Sequence, residues 1–119
     1  FPLTLSEKTI TLIGASPTGT VIDAMNSNKR AVFVEYAIGA RLENLTIRNG
    51  AVPNGYGGGV FVQDSIVSFE SCRLIQNQAT GAGGGLFAQY SRGFARNLWV
   101  DRNTANGSGD GWALGEGST

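Results

Sequence analysis

Gly57-Gly58-Gly59-Val60-Phe61-Val62 returns as Gly83-Gly84-Gly85-Leu86-Phe87-Ala88, 26 residues later. A looser copy, Gly109-Asp110-Gly111-Trp112-Ala113-Leu114, follows at the same interval. Upstream, Ala31-Val32-Phe33-Val34 keeps the apolar pattern without the glycines, Ala31 standing 28 residues before Gly59. A second unit repeats between these copies. Asn44-Leu45-Thr46-Ile47 aligns with Ser71-Cys72-Arg73-Leu74 and with Asn97-Leu98-Trp99-Val100, at steps of 27 and 26 residues. Leu42, Phe69 and Ala95 keep the same steps. Several independent positions sharing one interval define an internal repeat, the feature a reading of fold must start from.

Each unit contains short segments of alternating apolar and polar residues separated by Gly, Asn or Ser. Helical spacing is never sustained, so helical repeats are excluded. Several short strands within roughly 26 residues make one turn of a β-helix, each turn lying about 4.8 Å above the last. The predicted fold is all-β: a parallel β-helix of about four turns, right-handed by the usual sense of parallel crossovers. Residues 1–119 form one domain, in which 1–38 is a longer, irregular first turn and 39–119 the regular ones.

Alternation assigns the faces. Leu42/Phe69/Ala95, Leu45/Cys72/Leu98, Ile47/Leu74/Val100, Val60/Leu86/Trp112 and Val62/Ala88/Leu114 are predicted inward ladders, the last two extended upstream by Val32 and Val34. Cys72 then reads as a small buried hydrophobe. The intervening Phe33, Phe61 and Phe87 point outward, one per turn. Such a ridge marks an interface unless a loop of the chain, such as the one holding Pro53 and Tyr56, folds over it. Trp99 aligns with outward Thr46 and Arg73 and is a further interface candidate.

The repeat joins two motifs: Gly58-Gly59-Val60 with Gly84-Gly85-Leu86, and Leu74-Ile75-Gln76-Asn77 with Val100-Asp101-Arg102-Asn103. Their pairing resembles the repeats of the pectin-lyase-like right-handed β-helix superfamily. It is closest to those of bacterial polymorphic outer-membrane proteins and related surface proteins. The aliphatic residue opening the Asn motif replaces the phenylalanine usual there, and the turn at Ile47 carries Gly50 where Asn is expected. Independently of any family, Asn tolerates left-handed backbone and bonds neighbouring main chain at turns. Stacked, Asn77 and Asn103 are expected to form a structural amide ladder.

Chemistry is sparse. The chain has no histidine and one cysteine, Cys72, so the commonest general base is missing and thiol zinc sites lack partners. No catalytic residue, metal site or cofactor is predicted. The weak exception is Glu43 with Glu70. Stacked about 5 Å apart, they resemble a retaining-glycosidase pair, and mutual repulsion would raise one pKa. Arg96 shares their column and is expected to neutralise one of them, leaving ordinary surface charge. The resemblance implies clustered aspartates for lyase or hydrolase chemistry, but Asp23, Asp64, Asp101 and Asp110 are dispersed over the repeat. Asn106-Gly107-Ser108 is the better of two glycosylation acceptors; Asn44 adjoins a buried strand.

Net charge is zero and no apolar run approaches 18 residues. No nucleic-acid partner and no membrane span are therefore expected. Solenoid ends expose strand edges, so the chain is expected to be a segment of a longer solenoid or to dock end-on. The expected partners are neighbouring turns, domains or subunits, with polysaccharide as a further one. The expected function is a non-catalytic extracellular or cell-surface module, structural or adhesive, presenting a rigid surface. The alternative is a fragment or small member of the pectin-lyase-like lyases and hydrolases, followed by a non-catalytic glycan binder.

Overall fold

The computed structural model describes residues 2–7 and 9–119. Among them lie sixteen short strands and no helix, arranged as a parallel β-solenoid of about four turns. The first sheet stacks β1 (Leu3–Ser6), β4 (Val32–Glu35), β8 (Val60–Gln63), β12 (Leu86–Gln89) and β16 (Trp112–Leu114). The second stacks β2 (Thr11–Ile13), β5 (Ile38–Glu43), β9 (Ile66–Glu70) and β13 (Arg92–Arg96). The third stacks β3 (Val21–Asp23), β6 (Thr46–Arg48), β10 (Arg73–Ile75) and β14 (Trp99–Asp101). A narrow fourth sheet holds β7 (Ala51–Val52), β11 (Gln78–Ala79) and β15 (Thr104–Ala105).

The expected ladders are in register: Val32, Val60, Leu86 and Trp112 form one column, and Leu42, Phe69 and Ala95 another. Val32, Val34, Leu42, Leu45, Ile47, Val60, Cys72 and Leu74 are wholly buried. Each aliphatic among them contributes roughly 1.5–3 kcal/mol. β1 stacks on β4, with Leu3 beside Val32 and Leu5 beside Val34. The first turn thus closes before Val32, and residues 32–38 belong to the second.

Corners are set by stacked left-handed residues. Tyr36, Asp64 and Tyr90 follow the first sheet, Asn44, Ser71 and Asn97 the second, and Asn49, Gln76 and Arg102 the third, all with φ between 47° and 57°. That conformation costs about 1–2 kcal/mol for a residue with a Cβ. It is held because strands on both sides are locked into neighbouring turns. The Asn motif works differently from expectation here. The positive φ falls on Gln76 and Arg102, and the following Asn77 and Asn103 turn inward and are buried.

The glycine triplets serve three separate needs. Gly57 and Gly83 adopt φ of 66° at the fourth corner. A Cβ on Gly58 would lie 2.1 Å from the Gln78 carbonyl oxygen of the next turn. One on Gly59 would lie 2.7 Å from Asn77 Nδ2. Gly50, where the repeat calls for Asn, is forced too, since its Cβ would meet the Gly58 oxygen at 1.9 Å.

Candidate functional site

The phenylalanine ridge exists and is covered from within. Phe33 and Phe61 meet edge to face at 5.7 Å between centroids, and Phe61 and Phe87 at 5.5 Å. Tyr56, from the loop between β7 and β8, stacks on Phe87 at 4.7 Å. The Arg30 guanidinium lies 4.8 Å from the Phe61 centroid and 5.4 Å from that of Phe33, within cation–π range. Arg30 Nη2 also donates to the Tyr56 carbonyl at 3.1 Å, tying the two covers together. Phe87 is left 8% exposed. The loop holding Tyr56 covers Phe87, while Phe33 and Phe61 stay half-buried.

Glu43 and Glu70 are stacked in register, and the arginine that bonds them is Arg41. Arg41, two residues before Glu43 on the same outer face of β5, donates through Nη2 to Glu43 Oε1 and, at 2.7 Å, to Glu70 Oε2. The Arg41 bond, followed by a bond with Glu43, holds the Glu70 carboxyl below the ordinary glutamate range, with Arg96 a smaller contributor. A general acid needs the opposite shift. Arg41 rather than Arg96 bonds both carboxyl groups, which makes the pair a clamped surface cluster.

The amide ladder is present. Asn77 Oδ1 accepts from Gly50 N at 2.9 Å, and Asn77 Nδ2 donates to Ile47 O at 3.1 Å. Asn103 Nδ2 donates to Leu74 O at 2.8 Å. A second polar ladder went unread in the sequence. The Ser65 hydroxyl accepts from Ala37 N, that of Ser91 from Ser65 N, and that of Ser118 from Ser91 N, at 3.0–3.1 Å. Ser65 and Ser91 are buried. Their 26-residue step was visible, but small polar residues carry no hydrophobic periodicity to mark them as inward.

Asn106 is exposed beside Thr104 in a cavity of about 210 Å3 lined also by Gln78 and Thr80. Asn44 is half-buried at a left-handed corner. Burial pushes the Cys72 thiol pKa up, which makes it inert toward nucleophilic chemistry. Among the described residues no three His, Cys, Asp or Glu side chains come together as metal ligands. No helix there is long and apolar enough to cross a membrane.

Exposed large apolar side chains are spread over the solenoid, with Ile13 and Met25 in the first turn and Tyr36, Ile38 and Tyr90 along the wall. Phe94 is 74% exposed, Trp99 61%, Trp112 58% and Leu114 49%. Trp112 and Leu114 sit in inward columns yet meet solvent because no complete turn lies above them. Beside them opens a cavity of about 240 Å3, with Phe69, Ala95 and Leu98 in its lining. Trp99 is exposed, while Phe33 and Phe61 are half-buried and Phe87 is buried.

Searches against protein-family models, curated proteins and solved structures find no match.

Proposed function

We propose that the chain is a non-catalytic structural or adhesive solenoid module of the extracellular space or cell surface, built like the pectin-lyase-like surface repeats it resembles. The observation that carries this reading is Phe94 and Trp99, exposed on the consecutive strands β13 and β14 of a rigid stacked wall. Exposed aromatic side chains on consecutive strands form a patch of the kind that marks a contact surface. The arginines Arg41 and Arg48 engage the carboxylates beside them on that wall. The rigid wall of stacked turns fixes the geometry of the patch, so binding requires little ordering on this side.

The test combines a glycan array and cell-surface binding with a pectin-cleavage assay on the same preparation. Binding without cleavage, weakened by Phe94→Ser with Trp99→Ser, is the expected result. Chain-length reduction of pectin by the purified chain would overturn it in favour of the lyase or hydrolase reading.

A further inference from the structure

Three asparagines precede a glycine: Asn49-Gly50, Asn54-Gly55 and Asn106-Gly107. Such a pair carries a latent reaction of its own. The glycine nitrogen, on losing its proton, can attack the asparagine Cγ, and a glycine has no side chain to hinder the approach. A C–N bond forms, the Cγ–Nδ2 bond breaks, and ammonia departs with the proton. Water then opens the cyclic imide at one carbonyl or the other, leaving aspartate or isoaspartate. No reagent but water is consumed. A nitrogen held in a hydrogen bond reacts only when that bond opens, so the ease of local opening sets the rate.

The three nitrogens are held unequally. Gly50 N is buried and donates to Asn77 Oδ1 at 2.9 Å, while Asn49 Nδ2 donates to Asp23 Oδ1 at 2.9 Å. Gly107 N donates to a main-chain acceptor of the turn below, Gly81 O, at 2.7 Å. Gly55 N has the weakest hold. Its acceptor is a rotatable group on an exposed residue, the Thr80 hydroxyl, at 3.2 Å. Asn54 is itself exposed, in the turn between β7 and β8.

We infer that Asn54 is a site of spontaneous modification, guarded by the Thr80 hydroxyl, and that its conversion to isoaspartate loosens the cover over the phenylalanine ridge. The turn is pinned on either side of the reacting residue. Thr80 Oγ1 donates to Pro53 O at 2.8 Å, Gly81 N to Gly55 O at 2.7 Å, and Arg30 Nη2 to Tyr56 O at 3.1 Å. Isoaspartate routes the main chain through the former side chain and so inserts an extra atom between these pins. Both sides are tied to other turns, which leaves no slack to take it up. Tyr56, stacked on Phe87 and lying against Gly81, shifts with Gly55. The reaction runs one way, so the cover loosens as the molecule ages.

The test ages the folded chain in mildly alkaline buffer. Peptide mapping reads the amide-to-acid mass gain at each asparagine, enzymatic methylation reads isoaspartate, and a hydrophobic dye reads the ridge. Asn54 is expected to convert first, Asn106 later and Asn49 last. Thr80→Val keeps the shape and removes the hydroxyl. It should speed Asn54 by about two- to tenfold, the rate equivalent of one exposed hydrogen bond, and Asn106 much less. Thr80→Ser should keep the original rate. In the urea-unfolded chain the three pairs should react alike. Dye binding should rise in step with isoaspartate and stay flat in Asn54→Gln. Earlier conversion of Asn106 or Asn49, no acceleration in Thr80→Val, or the same ranking in urea overturns the guarded site. Flat dye binding while isoaspartate accumulates overturns its effect on the cover.

Discussion

Asn103 lies one turn above Asn77 and accepts two hydrogen bonds from it at one oxygen: Oδ1 takes both the backbone N–H and Nδ2 of Asn77, each at 3.0 Å. Through its own Oδ1 on Gly50 N, Asn77 passes the contact to the turn below. The two amides thus bond three turns together within the core.

Asn77→Ala removes that connection and leaves the buried Gly50 N–H without its acceptor. An unsatisfied buried polar group costs about 1–3 kcal/mol, and the Ile47 carbonyl loses a donor as well. The expected destabilisation is about 2–5 kcal/mol by urea unfolding. Asn103→Ala, at 7% exposure against 1% for Asn77, should cost less. Equal effects would show that the ladder is not cooperative.

Ser91→Ala tests the ladder on the opposite side of the core. It strips the acceptor from Ser65 N and costs about 1–3 kcal/mol. Ser118→Ala, in the terminal turn, should be close to neutral. The ranking is the readout.

Tyr56→Ala uncovers Phe87. Stability should fall by about 1–2 kcal/mol, as stacking and burial are lost together, and binding of a hydrophobic dye should rise. Phe87→Ser, a cavity in the covered part of the ridge, should cost about 3 kcal/mol or more. Phe33→Ser, less covered, should cost less. Unchanged dye binding in Tyr56→Ala would mean that another segment covers the ridge.

The Glu70 carboxyl should titrate below 4.5, its ordinary value. Because the folded pKa is the lower one, any stability it contributes is fully present above the unfolded pKa. That contribution is lost as pH falls through the folded value. Arg41→Met should raise the Glu70 pKa in a carboxyl NMR titration and flatten the acid limb of the stability curve. High salt should shrink the effect, since the pair is solvent-exposed. An unmoved Glu70 pKa would remove Arg41 as its cause.

The ladders were legible because large apolar residues at a fixed interval can only be stacked. Val60, Leu86 and Trp112 announced their register before any coordinates. The first turn was harder to delimit, since its 29-residue step from Leu3 to Val32 departs from the later interval. Contacts made by long side chains across columns were out of reach. Arg41 clamps Glu43 and Glu70 from a neighbouring column, whereas column logic points to Arg96. Arg30 and Tyr56 reach the phenylalanine ridge from loops, which repeat spacing does not constrain.

The bonds between turns run along the solenoid axis, and each strand crosses that axis. Tension applied along it would load one inter-turn seam at a time, so the molecule should peel open turn by turn at low force. Tension applied across it would pull against strands clamped above and below, and the same hydrogen bonds would have to fail together. A stack of this kind is soft to lifting and stiff to tearing.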